Sequence, residues 1–204
     1  MGLNNFDRVA PFYDLLAKLV FGEAILKSQI AFLGDINDCD RVLVLGGGTG
    51  QLLEYIAAQS VIIDYVEPSE KMLSKAKKRN CTGRVVFHQQ RFEDFDSEIL
   101  YDVIICPFFL DLFEEDSLKE VINKIKRFTK PSGKLSISDF QNRTTFFQKW
   151  LIRIMHLFFR ITVQLESRSL KEIHPCLQKE GFQMQKRIFF YSKFIFSSVY
   201  RLKL

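Results

Sequence analysis

Arg41-Val42-Leu43-Val44-Leu45-Gly46-Gly47-Gly48-Thr49-Gly50 decides how the rest of the chain is read. A short, unbroken apolar run closed by glycines predicts a strand buried on both faces of a parallel sheet, turning sharply into a helix. Residues 51–58 supply that helix. Working outward, the same alternation recurs. Residues 61–66 form a second strand ending at Glu67-Pro68-Ser69, and Ser69 N-caps a helix reaching about Arg79. Strands follow at 84–88 and 101–106, the latter again unbroken in its apolar character. Residues 116–128 are helical, Pro131-Ser132-Gly133 is a turn, and 134–140 is a fifth strand. Upstream, 11–33 reads as one or two helices with Gly22 as the break. Downstream come a long amphipathic helix at 144–163, a helix at 169–180 stopped by Gly181, and two strands over 182–204 with a hairpin near Ser192. Strands alternating with helices build βαβ units, so the chain is an α/β protein with an antiparallel pair at the end of its sheet.

The bulk numbers agree with a globular protein. The chain has 204 residues, 47% of them hydrophobic and 26% charged. At roughly 150 residues per domain this predicts one domain over 1–204, with a small lid. Within it, 1–40 reads as an N-terminal helical cap, 41–140 as the binding core, 141–168 as a helical lid insertion and 169–204 as a terminal helix and strand pair. The net charge of +5 is mild, and basic residues are not interleaved with aromatics, so no nucleic acid is expected as a partner. The four Cys, at 39, 81, 106 and 176, form no CxxC pair and no Cys/His ligand spacing, so no metal is expected. With no signal-peptide core and no long apolar span, the expected location is cytoplasmic, with reduced thiols. The 21 Phe against one Trp point to an aromatic core or a greasy pocket.

The chemistry starts at the glycines. A ligand lying against the backbone leaves no room for side chains there. Glu67 ends the neighbouring strand about 20 residues on, where a carboxylate accepts hydrogen bonds from ribose hydroxyls. Two cofactor classes fit this much. A dinucleotide wants GxGxxG, whose third glycine would fall at Gln51 when counted from Gly46. The third glycine stands at Gly50 instead. That spacing favours S-adenosyl-L-methionine, which has no phosphate to hold, over NAD(P) and oxidoreductase chemistry.

With these residues in view, the chain resembles the class I S-adenosylmethionine-dependent methyltransferases, and among them the ubiquinone/menaquinone biosynthesis C-methyltransferase group (type 11/25). The stretches that carry the likeness are FDRVAPFYD at 6–14, VLVLGGGTG at 42–50, VEPSEKML at 66–73, YDVIICPFFLDLF at 101–113 and KPSGKLSISDF at 130–140. The resemblance implies a Rossmann-like, seven-stranded, mostly parallel sheet of order 3-2-1-4-5-7-6 with helices on both faces and its last strand antiparallel. It implies methyl transfer to a small acceptor, with S-adenosyl-L-homocysteine as product. Gly46, Gly47, Gly48 and Gly50 would let the methionine and ribose parts approach the backbone. Glu67 would bind the ribose hydroxyls, with Pro68 in the same turn. Ser69 and Met72 would sit beside the adenine, Gln90 and Arg91 at its edge and Phe92 against its face. Pro107 and Phe108 would lie near the transferable methyl, and Tyr13 would close over the cofactor. Two positions depart from the family. Val44 stands where it usually has an acid that holds the amino-acid end of the cofactor, and Arg91 where it usually has Asp. Arg cannot accept a hydrogen bond. Weakened cofactor binding and a non-catalytic binding protein are both open readings.

Methyl transfer from a sulfonium can proceed largely by orientation, and a base is needed only if the nucleophile must lose a proton. Tyr13, His88 and Asp139 are the candidates. His88 ends the third strand and Asp139 the fifth, on the side where ligands bind such sheets. His156 and His174 read as structural. In the 144–163 helix, Lys149, Arg153, His156, Arg160 and Gln164 make one narrow polar stripe, and the rest is apolar. That arc is wider than the ~100° one core needs. Core packing plus a homodimer contact would explain it, as would a lid over an apolar acceptor or peripheral contact with a membrane surface. The oligomer is a monomer or homodimer.

Overall fold

The computed structural model describes residues 13–58, 60–141 and 173–203. Residues 6–12, the side chain of Tyr13 and the 144–163 helix with His156 lie outside them. Two short helices come first, α1 (Tyr13–Phe21) and α2 (Ala24–Ile30). Gly22 separates them at φ +59, a left-handed turn that a helix cannot continue through. Strands β1 (Arg41–Leu45), β2 (Ile62–Val66), β3 (Arg84–His88), β4 (Tyr101–Pro107), β5 (Thr129–Phe140), β6 (Phe182–Phe190) and β7 (Ile195–Leu202) form one sheet of order β3-β2-β1-β4-β5-β7-β6. The pairs among β1 to β5 are parallel, and β7 runs antiparallel to both β5 and β6. The Rossmann-like α/β order expected from the sequence is therefore the one observed.

Helices α3 (Glu70–Ala76), α4 (Glu115–Phe128) and α5 (Ile173–Lys179) complete the regular elements. Alternate residues of β1 feed the two faces. Leu43 and Leu45 join α4 residues Leu118, Val121, Ile122, Ile125 and Phe128 in one apolar cluster. Val42 and Val44 join Leu52, Leu53, Ile63, Tyr65, Leu73 and Ala76 in the other. The α4 residues recur at helical spacing, so one stripe carries its docking, at roughly 1.5–3 kcal/mol per fully buried side chain.

Three local expectations need correction. Residues 51–58 are not an α-helix: Gln51–Tyr55 makes a 3₁₀ turn and Ile56 is extended. The Thr82 hydroxyl donates to the Ile56 and Ala58 carbonyls at 2.8 and 3.1 Å, tying this segment down outside a helix. The helix after Ser69 stops at Ala76 rather than Arg79. The fifth strand starts at Thr129, with the expected 131–133 turn inside it. Tyr101 pairs with Thr129 and Val103 with Lys134, so the intervening residues loop out opposite Asp102. Pro131 cannot donate to a ladder, and the bulge removes the need. Lys130 Nζ then reaches the Asp102 carboxylate at 2.7 Å. The terminal hairpin turns through Tyr191, Ser192 and Lys193, three consecutive non-glycine residues at positive φ. No helix among the described residues is long and apolar enough to cross a membrane.

Candidate active site

The turn after β1 is built from both sides. Gly46 N–H donates to the Val66 carbonyl at 2.9 Å, closing the turn against β2. A Cβ on Gly47 would stand 2.3 Å from the Tyr65 hydroxyl, whose ring lies under the turn and whose O–H donates to the Gly48 carbonyl at 3.0 Å. A Cβ on Gly46 would meet the Phe109 ring at 2.7 Å, and one on Gly50 would meet Ala76 at 2.8 Å. These three glycines are demanded by the protein's own packing, which the sequence reading attributed to a ligand. Gly48 differs. At φ +60 it has nothing within 4 Å of its Cβ position, so bare backbone faces open space there.

Glu67 sits beside that backbone. It is 5% exposed. Its Oε2 accepts the Gly48 N–H at 3.0 Å and its Oε1 accepts the Ser69 N–H at 2.9 Å, so one carboxylate links the turns that end β1 and β2. Ser69 Oγ in turn accepts the Met72 N–H at 3.2 Å, the N-cap expected for α3. Met72 is buried and Pro68 half-buried in the same region.

A second set of residues, absent from the sequence reading, fastens α1 to this turn. Thr49 Oγ1 donates to Asp14 Oδ1 at 2.7 Å. Arg79 donates from Nε to the Thr49 carbonyl at 3.1 Å and ion-pairs with Asp14 at 3.3 Å and Glu54 at 3.4 Å. Tyr13 begins the helix so held.

The residues after β3 divide. Gln90 and Arg91 are half-buried, and Arg91 pairs with Glu93. Phe92 is 2% exposed, edge-on to Phe109 and Phe128, with Lys124 Nζ 5.1 Å from its ring centre. Its ring belongs to the core on the α4 side. His88 is already committed: its Nε2 lies 2.7 Å from Asp64 Oδ1, Tyr101 O–H donates to the other Asp64 oxygen at 3.1 Å, and its ring packs on Phe95. Burial, the largest cause, pushes the Tyr101 hydroxyl up to about 12, so it stays a donor. His174, expected mid-helix, is the second residue of α5 as described and lies 3.3 Å from the Tyr200 hydroxyl.

At the ends of β4 and β5, Pro107 is buried and Phe108 is held at φ +53, a conformation an aromatic residue adopts only under constraint. Phe108 N–H donates to the Ser138 carbonyl at 2.7 Å and its ring packs on Phe140 at 4.8 Å. Asp139 is fully buried. Its Oδ1 accepts the Phe140 N–H at 2.8 Å and its Oδ2 the Asp111 N–H at 3.3 Å. Burial first, and the neighbouring Asp111 charge second, hold its carboxyl well above the usual range. Val44 lies wholly inside the second apolar cluster, between Tyr65 on β2 and Ile105 on β4, with no polar role.

Residues 42–133 match the family described as methyltransferase domain. Over those residues the chain is similar to the methyltransferase domains of the type 11/25 group. Over 124 residues it is 32% identical to the tRNA1(Val) (adenine(37)-N6)-methyltransferase of Dyadobacter fermentans, covering 50% of this chain and 52% of that one. Over 141 residues it is 29% identical to the malonyl-[acyl-carrier protein] O-methyltransferase of Priestia megaterium, covering 68% of this chain and 51% of that one. The chain spans about half the length of these two curated relatives. Its fold is shared with the N-methyltransferase NodS of Bradyrhizobium japonicum, solved with S-adenosyl-L-homocysteine, at a TM-score of 0.63 and 13% identity over 88% of this chain and 84% of that one.

Proposed function

We propose that the protein transfers a methyl group from S-adenosylmethionine to a small acceptor. The observation that carries this is the bare Gly48 backbone beside the buried Glu67 carboxylate. The open space at Gly48 fits an adenosyl ligand, and Glu67 supplies the acceptor that its ribose hydroxyls require. When bound, the cofactor supplies an electrophilic methyl on a sulfonium. The chain's own residues bind and orient. Glu67 fixes the Gly48 and Ser69 amides, so the cradle is formed before binding and little ordering remains to be done. Gly46, Gly47 and Gly50 shape the turn, Pro68, Ser69 and Met72 flank the adenine position, and Gln90 and Arg91 border it. Pro107, Phe108 and Phe109 keep water from the reacting end. The Asp14–Thr49–Arg79 set draws α1, and Tyr13 with it, to the glycine turn. Within this reading 41–140 is the binding core and 1–40 its cap.

A second reading, a protein that binds the cofactor without turning it over, has its own support. Val44 offers the cofactor's amino-acid end no carboxylate, and Arg91 is engaged by Glu93. Isothermal titration with S-adenosylmethionine, S-adenosylhomocysteine and NADH tests both. Binding of the two adenosyl ligands without NADH is expected. Binding of NADH alone, or of none of the three, sinks the proposal. Binding without methyl incorporation into any phenol or amine supplied favours the second reading.

A further inference from the structure

Asp111 belongs to a one-turn 3₁₀ segment, Leu110–Leu112, directly after β4. The chain reaches it through the left-handed Phe108 and through Phe109, whose ring covers Gly46. Asp139 lies one residue beyond Ser138, the β5 partner of Pro107. The two carboxylates thus sit together at the carboxyl ends of β4 and β5, Asp111 just beyond β4 and Asp139 as the penultimate residue of β5, next to the β1–β4 boundary where such sheets place their ligands. Asp139 has both oxygens engaged by backbone N–H groups. Asp111 does not: as a residue it is half-buried, yet its Oδ1 is sealed from solvent and has no hydrogen-bond partner among the described residues. A buried carboxylate oxygen without a donor is costly to keep, and an oxygen kept that way is ready to receive one.

We propose that Asp111 is a catalytic residue, the base that accepts the proton of an O–H or N–H acceptor, and that Asp139 positions it. This rests on the methyltransferase reading. In the step, a lone pair of the acceptor oxygen or nitrogen forms the bond to the methyl carbon. The carbon–sulfur bond breaks with its electron pair going to sulfur, which becomes a neutral thioether. The acceptor's proton passes to the Asp111 carboxylate, on a residue that is only half-buried, and later to solvent. One positive and one negative charge enter and none remains. Asp139 holds the Asp111 backbone through its N–H, which fixes where Oδ1 lies.

Burial also pushes the Asp111 carboxyl up to about 6, and burial first, with the Asp111 charge second, holds the Asp139 carboxyl well above the usual range. A base with that affinity is matched to working near pH 7. Among the described residues, the other ionisable group acting with the pair is the buried Cys106 thiol of β4, held above its usual range by burial first and by Asp139 second.

The test uses the two adenosyl ligands themselves, because only one carries a sulfonium charge. If Asp111 faces the reacting centre, its ionisation favours S-adenosylmethionine over S-adenosylhomocysteine. The ratio of their affinities should rise about fivefold or more between pH 5 and pH 7 in the unaltered protein. It should stay flat in Asp111→Asn and still rise in Asp139→Asn, which keeps the Asp111 charge. A flat ratio in the unaltered protein, or a rise that persists in Asp111→Asn, overturns the inference while leaving the methyltransferase reading intact. Failure of both ligands to bind the unaltered protein removes both. Should Asp111→Asn lose S-adenosylhomocysteine binding, Asp111→Ser takes its place, and loss in both would make the residue structural and the inference wrong.

Discussion

At Glu67 one side chain does two tasks, gripping the Gly48 amide and standing at the mouth of the cradle. Glu67→Ala is expected to weaken S-adenosylhomocysteine binding by ~1.5–3 kcal/mol, the worth of a charged hydrogen-bonding group, in a titration at pH 7.5. An unchanged affinity would take Glu67 out of the binding site. Asp111 yields a second expectation through its raised carboxyl. Between its ordinary value of 3.8 and about 6 the folded state holds the proton and the unfolded state does not. Stability therefore falls as pH rises through that window and levels off above it. In urea unfolding, Asp111→Asn should gain about 1–1.5 kcal/mol on the unaltered protein between pH 5 and pH 7, and a gap that does not move with pH would refute this. Glu67 was legible in the sequence because a carboxylate closing a buried strand has few other uses. Tyr65 and Asp111 were not. Tyr65 matters through what a Cβ at Gly47 would strike, and Asp111 through an oxygen that finds no donor. Both are relations in space between residues far apart in the chain.

The elements best read from sequence were those with one dominant cause. β1, β3 and the α4 stripe follow from apolar periodicity, and the start of α3 from the Ser69 cap. The 51–58 segment misled because its apolar spacing suits a helix, while Thr82, in a turn well downstream, claims its carbonyls. The β5 bulge was hidden for the same reason, since only pairing with β4 exposes it. The helix α1 offers a test at this scale. It meets the glycine turn through Asp14, held by the buried Thr49 and by Arg79, and the Asp14–Arg79 pair is partly exposed, so the ion pair itself is worth little. Arg79→Ala should leave global stability within about 1 kcal/mol yet speed amide exchange in residues 13–21, because the clasp rather than the core anchors them. Exchange in α1 no faster than before would mean that apolar packing, such as Phe21 on Phe140 and Phe194, holds it alone.

For the whole molecule, a ligand that binds only the folded state stabilises it by mass action. S-adenosylhomocysteine at 100 times its dissociation constant should add about 2.7 kcal/mol to the unfolding free energy, and NADH nothing. An equal thermal shift with NADH would contradict the adenosyl assignment. The strand order has its own consequence for how this protein is made. β7 is the last of the seven strands to leave the ribosome, yet it lies between β5 and β6, inside the sheet. Its Ser197 hydroxyl donates at 2.6 Å to the carbonyl of Ser28, 169 residues earlier, and Tyr191 at the hairpin tip reaches Val20 across 171. Until translation delivers that hairpin, β5 has an open edge and α2 lacks its contact with β7. A nascent chain stalled short of residue 195 is thus an aggregation hazard, one that the cell meets on each round of synthesis.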